Sequence, residues 1–306
     1  MLDGLESDPT SPFVTQQAVI EAKAWGADIV RVPLGEQFWM QSGCDYSPGY
    51  AATVDKVVNW ITSLGMVALL DLHYNTVGGG SLAGLVEGCQ PGSQHNMADA
   101  AESPQFWSQV AARYRGNPLV AFDLYNEPHN ISDAVWLDGG TTTDTAYPYA
   151  TYQAAGMQQL YDAVRATGAQ NLVFVSGNNW ANTLPSTLLE GTNIVYAAHV
   201  YTCPTSPPPS CANSDPYDPS QILDDWIAAS ASVPVAVTEF GWPSPYNCAY
   251  NSDVISFAEQ HGWSWIAFAW EDGNGDAWAL ASWYPNGTAE PNPSGAPVLL
   301  SQVPTG

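Results

Sequence analysis

Positive charge is what this chain has least of. Its 306 residues hold 6 Lys and Arg against 30 Asp and Glu, a net of −24. With no basic patch to neutralise phosphate, nucleic acid and anionic membrane are excluded as partners. The acidic count is ordinary for this length, so the imbalance comes from missing cations. The acids form no block either, which excludes a disordered acidic tail. No run of about 18 apolar residues occurs, so no membrane-spanning helix is expected. The start, Met1-Leu2-Asp3-Gly4-Leu5-Glu6, lacks the basic and then apolar segments of an export signal, which was removed or never present. The five cysteines contain no C-x-x-C pair, which argues against structural zinc. Disulfides of an oxidising compartment, with one thiol left over, are the reading adopted.

What is present is a rhythm of helix and strand, with no short-period repeat beyond it. Apolar residues at helical spacing (Val19, Ile20, Ala24) over 15–27 run into the β-branched stretch 28–34. The same unit recurs with helices at 52–64, 105–114 and 152–167 and strands at 66–73, 119–127 and 172–176. A strand at 194–201, a helix at 222–231, a strand at 233–241, a helix at 254–260 and a strand at 263–270 complete seven strands. Alternation of this kind means parallel strands with helical crossovers, and the fold class expected is α/β, a (β/α)8 TIM barrel over one domain, 1–306. An eighth strand belongs at the N-terminus, but Gly4, Pro9 and Pro12 interrupt residues 1–14. The chain is therefore expected to begin at or just after the end of the first strand, with an open sheet as the alternative. The Pro-rich stretch 204–219 reads as a surface loop, because the rhythm resumes beyond it. Loops after neighbouring strands would bring Cys44 near Cys89, and Cys203 is eight residues from Cys211; those two pairs are expected, with Cys248 free.

Two of the strands end in a carboxylate that packing does not require. Ala121-Phe122-Asp123-Leu124-Tyr125-Asn126-Glu127-Pro128 closes on Glu127, and Val235-Ala236-Val237-Thr238-Glu239-Phe240-Gly241 closes on Glu239. Barrel strands place such tips at one mouth, and two carboxylates there, about 5 Å apart, are what a retaining glycosidase needs. Arg31 lies in the run after the first helix, His73 ends the strand at 66–73, and His199 and Tyr201, two apart, share a strand face. A buried salt bridge is the plain alternative for either Glu, yet six cations cannot partner thirty acids.

In this set of residues the sequence resembles glycoside hydrolase family 5, the cellulase family A. The positions usually shared there, Arg, His, Asn-Glu, His-x-Tyr, Glu and Trp, match Arg31, His73, Asn126, Glu127, His199, Tyr201, Glu239 and Trp270 in order. The departure is the first strand. The resemblance implies Glu127 as acid/base and Glu239 as nucleophile, with Arg31 and Tyr201 holding Glu239 ionised and Asn126 bonding the sugar 2-hydroxyl. It implies hydrolysis of a β-1,4-glucan by a secreted monomer, with a polysaccharide as partner and no cofactor or metal. Mannan and xyloglucan stay open as substrates, as does a non-catalytic carbohydrate-binding barrel.

Aromatic residues follow the strand ends, and flat rings along a cleft stack on sugar faces. The candidates are Trp270 and Trp180 first, then Trp39, Tyr74, Trp242 and Trp278. The stretch 272–276, Asp-Gly-Asn-Gly-Asp, resembles the start of a calcium loop but lacks its later Gly and Glu, and reads as a loop over the cleft. Few cations mean few carboxylate pairs to lose on protonation, so tolerance of acid is expected.

Overall fold

The computed structural model describes residues 1–43, 45–77, 92–144, 151–201, 218–241, 249–270, 279–283 and 287–301. All five cysteines lie outside the described residues, and with them the expected disulfides; so do Trp242, Trp278 and the stretch 272–276.

The chain runs α1 (Gln16–Ala24), β1 (Ile29–Gly35), α2 (Glu36–Trp39), α3 (Tyr50–Ser63), β2 (Val67–Tyr74), α4 (Ser103–Tyr114) and β3 (Val120–Asp123). Next come α5 (Asp133–Asp138), β4 (Gly140–Thr143), β5 (Thr151–Ala154), α6 (Met157–Ala166), β6 (Val173–Ser176), α7 (Asn178–Ala181) and β7 (Ile194–Val200). The rest is α8 (Ser220–Ser230), β8 (Val235–Phe240), α9 (Tyr250–Gln260), β9 (Ser264–Ala267), β10 (Ala281–Trp283), β11 (Ala289–Pro291) and α10 (Ala296–Ser301). Seven strands form one parallel sheet in the order β1-β2-β3-β6-β7-β8-β9, matching the seven expected from sequence.

The sheet curls into a barrel whose eighth position holds only Met1 and Leu2. The Leu2 amide donates to Arg31 O of β1 at 2.8 Å, and Trp270, just past β9, donates its amide to Met1 O at 2.6 Å. The Met1 ammonium reaches Ala267 O at 2.7 Å. The fold is thus a (β/α)8 barrel in which residues 1–2 occupy the place of the first strand. Beside these two residues a cavity of about 250 Å³ lies between β1 and β9, lined by Trp25, Ile29, Trp265 and Ile266 among others.

Helices form where apolar spacing and caps agree. In α3 the buried residues Tyr50, Val54, Val57, Val58 and Ile61 make one stripe at helical spacing, and in α6 Met157, Leu160, Tyr161 and Val164 do the same. The Thr15 hydroxyl caps α1 by accepting from Ala18 N at 3.1 Å. The helix expected at 152–167 begins only at Met157, because Thr151–Ala154 pairs antiparallel with β4 and Gly156 ends that excursion.

The two-residue period of the strands sorts the barrel into layers. One apolar layer fills the barrel interior: Met1, Leu69, Ala121, Phe174, Ala197, Ala236 and Ile266. Two residues on, along the same faces, the side chains become Arg31 (after Ile29), Asp71, Asp123, Ser176, His199 and Thr238. The intervening residues, such as Val30, Val32, Leu70, Leu72, Val175 and Val237, pack outward in the shared core with the helices. These strands therefore carry their polar groups above a dry floor.

Candidate active site

Arg31 stands at the centre of the polar layer, fully buried on β1. Its Nε donates to Asp123 Oδ2 at 2.9 Å and its Nη2 to Asn126 Oδ1 at 2.9 Å, while Nη1 donates to Glu239 Oε1. Asp71 Oδ1 lies 3.0 Å from Nη2. A guanidinium needs this many acceptors to be held in a dry interior, and its planar fork meets each in a fixed direction. Asp71 in turn anchors His73, Oδ2 to Nδ1 at 2.6 Å, and Asn126 Nδ2 sits 3.4 Å from His73 Nε2.

The two glutamates face each other across His199. A carboxylate oxygen of Glu127, one of Glu239 and a His199 ring nitrogen all lie within 4.8 Å of one another. His199 Nδ1 is 2.8 Å from Glu127 Oε1 and 3.7 Å from Glu239 Oε2, and its Nε2 is 3.1 Å from Thr238 Oγ1. Tyr201 donates its hydroxyl to Glu239 Oε2 at 2.7 Å. A register shift between Ala198 and His199 pairs His199 with Glu239, so consecutive residues Thr238 and Glu239 both serve the interior. The β3 ladder stops at Asp123, four residues before the expected end, and Glu127 takes a left-handed backbone with φ of 49°. That conformation costs an ordinary residue about 1–2 kcal/mol and turns the Glu127 side chain over the barrel mouth.

The electrostatics hold Glu239 in its charged form. Burial would raise Glu239, but the charges of His199, Arg31 and His73 and the Tyr201 hydroxyl outweigh it and hold the carboxyl down at about 2. Burial pulls His73 down, and Asp71, by charge and hydrogen bond, more than reverses this and lifts it to about 9. Tyr201 is raised well above its ordinary value by burial and by the neighbouring carboxylates. Glu239 is thus held as a carboxylate in a nearly closed setting, 5% exposed, whereas the Glu127 side chain is 14% exposed and open to the mouth.

The expected residues Arg31, His73, Asn126, Glu127, His199, Tyr201 and Glu239 therefore converge on one mouth. The aromatic expectations divide. Trp180 is 42% exposed beside Glu127's loop, its amide donating to Pro128 O at 2.9 Å, and its ring stacks on His129 at 3.6 Å. Tyr74 packs against His73 with centroids 5.3 Å apart. Trp270 and Trp39 are corrections. Trp270 turns out of the barrel, where its Nε1 bonds Ala18 O of α1 at 2.9 Å and its ring meets Trp25 and Trp283 edge-on. Two residues earlier the strand face is the interior one, and Phe268 sits there, edge-on to Tyr201. Trp39 is buried against Tyr50 and Phe106, with Nε1 on Gln109.

Asp71, Asp123, Thr238 and Phe268 are not singled out by sequence pattern as read above. The signal was available for the two aspartates, since each interrupts an apolar run, as Asp71 does between Leu70 and Leu72 and Asp123 between Phe122 and Leu124. Among the described residues, Glu127, His199 and Glu239 are the one group of three side chains close enough to share a metal ion, and they are the same residues that face each other across the mouth. No described helix is long and apolar enough to cross a membrane.

The model of the family described as Cellulase (glycosyl hydrolase family 5) matches residues 2–274. Endoglucanase 1 of Robillarda sp. (strain Y-20) is 31% identical over 130 residues, 41% of this chain and 29% of that protein. Endoglucanase MaCel5A of Microbulbifer sp. (strain ALW1) is 24% identical over 273 residues, 82% of this chain and 43% of that one. The chain spans less than half the length of either relative. In fold it is similar to an endo-β-1,4-glucanase from Xanthomonas axonopodis pv. citri, with a TM-score of 0.68, 17% identity and coverage of 98% and 97%. It is also similar to a β-glucanase from Saccharophagus degradans in complex with cellotetraose, with a TM-score of 0.65, 20% identity and coverage of 94% and 82%. From the family match across residues 2–274, and from strand tips that bring the family's polar residues to one mouth, the chain belongs to the cellulases of glycosyl hydrolase family 5.

Proposed function

We propose that this chain hydrolyses internal bonds of β-1,4-glucan with retention of configuration, as a secreted, monomeric catalytic domain. The observation that carries the reading is the pair Glu127 and Glu239, with carboxylate oxygens within 4.8 Å, one held ionised and the other open to the mouth. That separation suits a covalent mechanism and leaves no room for the water an inverting enzyme places between its acids.

In the first step Glu239 attacks the anomeric carbon while Glu127 gives its proton to the departing glycosidic oxygen. A bond from Glu239 to carbon forms as the carbon–oxygen bond breaks, and the shortened chain leaves as an alcohol. In the second step Glu127 takes a proton from water, whose oxygen attacks the same carbon and releases Glu239. Arg31 and Tyr201 keep Glu239 ionised and aimed, since each bonds a different oxygen. Asn126 has its Oδ1 on Arg31 and two N–H groups, one near His73 and the other available for the sugar 2-hydroxyl. Trp180 offers an open face for a further sugar ring. Support for a glucan comes from the endoglucanase relatives and from the fold neighbour that binds cellotetraose. The test is reducing-sugar release from soluble glucan, mannan and xyloglucan by the wild type and by Glu239→Gln. Release from glucan, abolished in the variant, is expected; hydrolysis of mannan or xyloglucan alone would replace the substrate, and no release from any would overturn the reading.

A further inference from the structure

The mouth holds one polar contact that neither step of the double displacement uses. Gln94 donates its side-chain amide to Glu127 Oε2 at 2.8 Å, so that with His199 on Oε1 both oxygens of this carboxyl are held by nitrogen. Gln94 lies in the crossover between β2 and α4, a place where a side chain would ordinarily wander, yet its backbone is pinned on both sides. Ser93 and Asn75 exchange both backbone hydrogen bonds, at 3.0 and 3.1 Å. His95 O accepts from the Tyr125 hydroxyl at 2.8 Å, and the His95 ring is paired with Asp144. Asn96 O accepts from His129 N at 3.0 Å and its amide donates to Thr143 O at 3.1 Å; Met97 N donates to the Tyr152 hydroxyl at 3.0 Å. At Gly92 a Cβ would fall 2.0–2.3 Å from the side-chain amide of Gln37, so the segment enters with its backbone laid against that side chain. His95, Asn96 and Met97 are buried, and Gln94 alone of this run reaches out over the mouth.

We infer that Gln94 is a positioning residue for Glu127, holding the plane of its carboxyl while the proton leaves and returns. This rests on the assignment of Glu127 as acid/base. A primary amide suits the task because it donates N–H to a carboxylate and, turned over, accepts the O–H of the acid. A lysine there would favour only the ionised form, and an apolar side chain would leave Oε2 without a protein partner. General acid catalysis depends on geometry as much as on acidity, so a carboxyl free to rotate about its last bond loses rate where a proton is needed and nowhere else.

Leaving groups supply the test. Cellotetraose departs as a sugar alcohol and needs the proton of Glu127; 2,4-dinitrophenyl β-cellobioside departs as a stable phenolate and does not. For Gln94→Met, close in size but without the amide, kcat/KM on cellotetraose is expected to fall roughly tenfold and on the dinitrophenyl substrate less than about twofold. Gln94→Glu is expected to move the basic limb of the kcat/KM profile on cellotetraose up by about one pH unit, because a like charge beside Glu127 retains its proton. An equal loss on both substrates, or no loss on cellotetraose, would overturn the inference, as would an unmoved basic limb in Gln94→Glu. If the wild type turns over neither substrate, the glycosidase reading itself falls; if the wild type is active and the variants match it, only the role of Gln94 does.

Discussion

Lowering the pH from 7 to 5 is expected to stabilise this protein, against the usual direction of acid titration. Asp3 and Asp123 both have carboxyl groups pushed up to about 6, first by burial and then by nearby carboxylates, Glu6 for Asp3 and, against the pull of Arg31, Asp71 for Asp123. An acid whose folded value exceeds its unfolded one costs stability while ionised, and that cost is relieved as pH falls through the folded value. Each of the two contributes about 1 kcal/mol between pH 7 and pH 5. His73 acts in the same sense. Its value near 9 means that its contribution is complete below the ordinary histidine value and lost only as pH rises toward 9, which adds somewhat under 1 kcal/mol over the same interval. Glu239 opposes them, since a carboxyl held down at about 2 stabilises above its ordinary value and gives this up as pH falls toward 2. At pH 5 that loss has scarcely begun.

The net gain is about 2–3 kcal/mol, which for a chain of this size raises Tm by about 3–5 °C. The surface does not offset it. The exposed Lys23–Asp28 and Arg113–Asp55 pairs are each worth only about 0–1 kcal/mol. Calorimetry at pH 7, 6 and 5 at constant ionic strength measures the shift, and Asp123→Asn, which has no proton to gain, should show a smaller rise. A Tm that falls between pH 7 and pH 5, or a rise as large in Asp123→Asn as in the wild type, would refute the reasoning.

The same geometry sets the outcome of four further substitutions. Glu239→Ala and Glu127→Ala should both be nearly inactive on glucan, and azide should give an α-glycosyl azide with the first and a β-glycosyl azide with the second; chromatography showing one anomer from both would contradict the roles. Trp270→Ala should lower stability by about 3–5 kcal/mol through the cavity left against Trp25 and α1, with the KM for cello-oligosaccharides little changed. Trp180→Ala should do the reverse, leaving Tm within a degree or two and weakening binding of long cello-oligosaccharides roughly fivefold, measured by titration calorimetry.

Much of this site could be read from the strands alone. A side chain with no packing role at the end of a β-branched run is conspicuous in sequence, and period-2 alternation puts His199 and Tyr201 on one face whatever the rest of the chain does. That is why His73, Glu127 and Glu239 were legible, and why all seven strands could be located, although β3 ends at Asp123 and β9 at Ala267, short of the expected 127 and 270.

Tertiary structure decided which face is inside, and there the local reading failed. Trp270 stands at a strand tip by sequence, but β9 ends at Ala267, and Phe268 meets Tyr201 while Trp270 packs on α1. Nothing in the local pattern of residues 263–270 distinguishes the two aromatics, and their places are set by distant partners, Tyr201 for Phe268 and Ala18, Trp25 and Trp283 for Trp270. The contact of Gln94 with Glu127 likewise depends on partners up to 55 residues away, such as Tyr152 on Met97. The acidity of Glu239 belongs to this level too: a lone Glu in a buried strand would be pushed up by desolvation, and only the convergence of His199, Arg31 and His73 from three other strands reverses the sign. Sequence determines which groups each strand can present, because alternation is a property of one backbone; their distances, and hence their charges, exist only once the barrel brings separate strands to a common mouth.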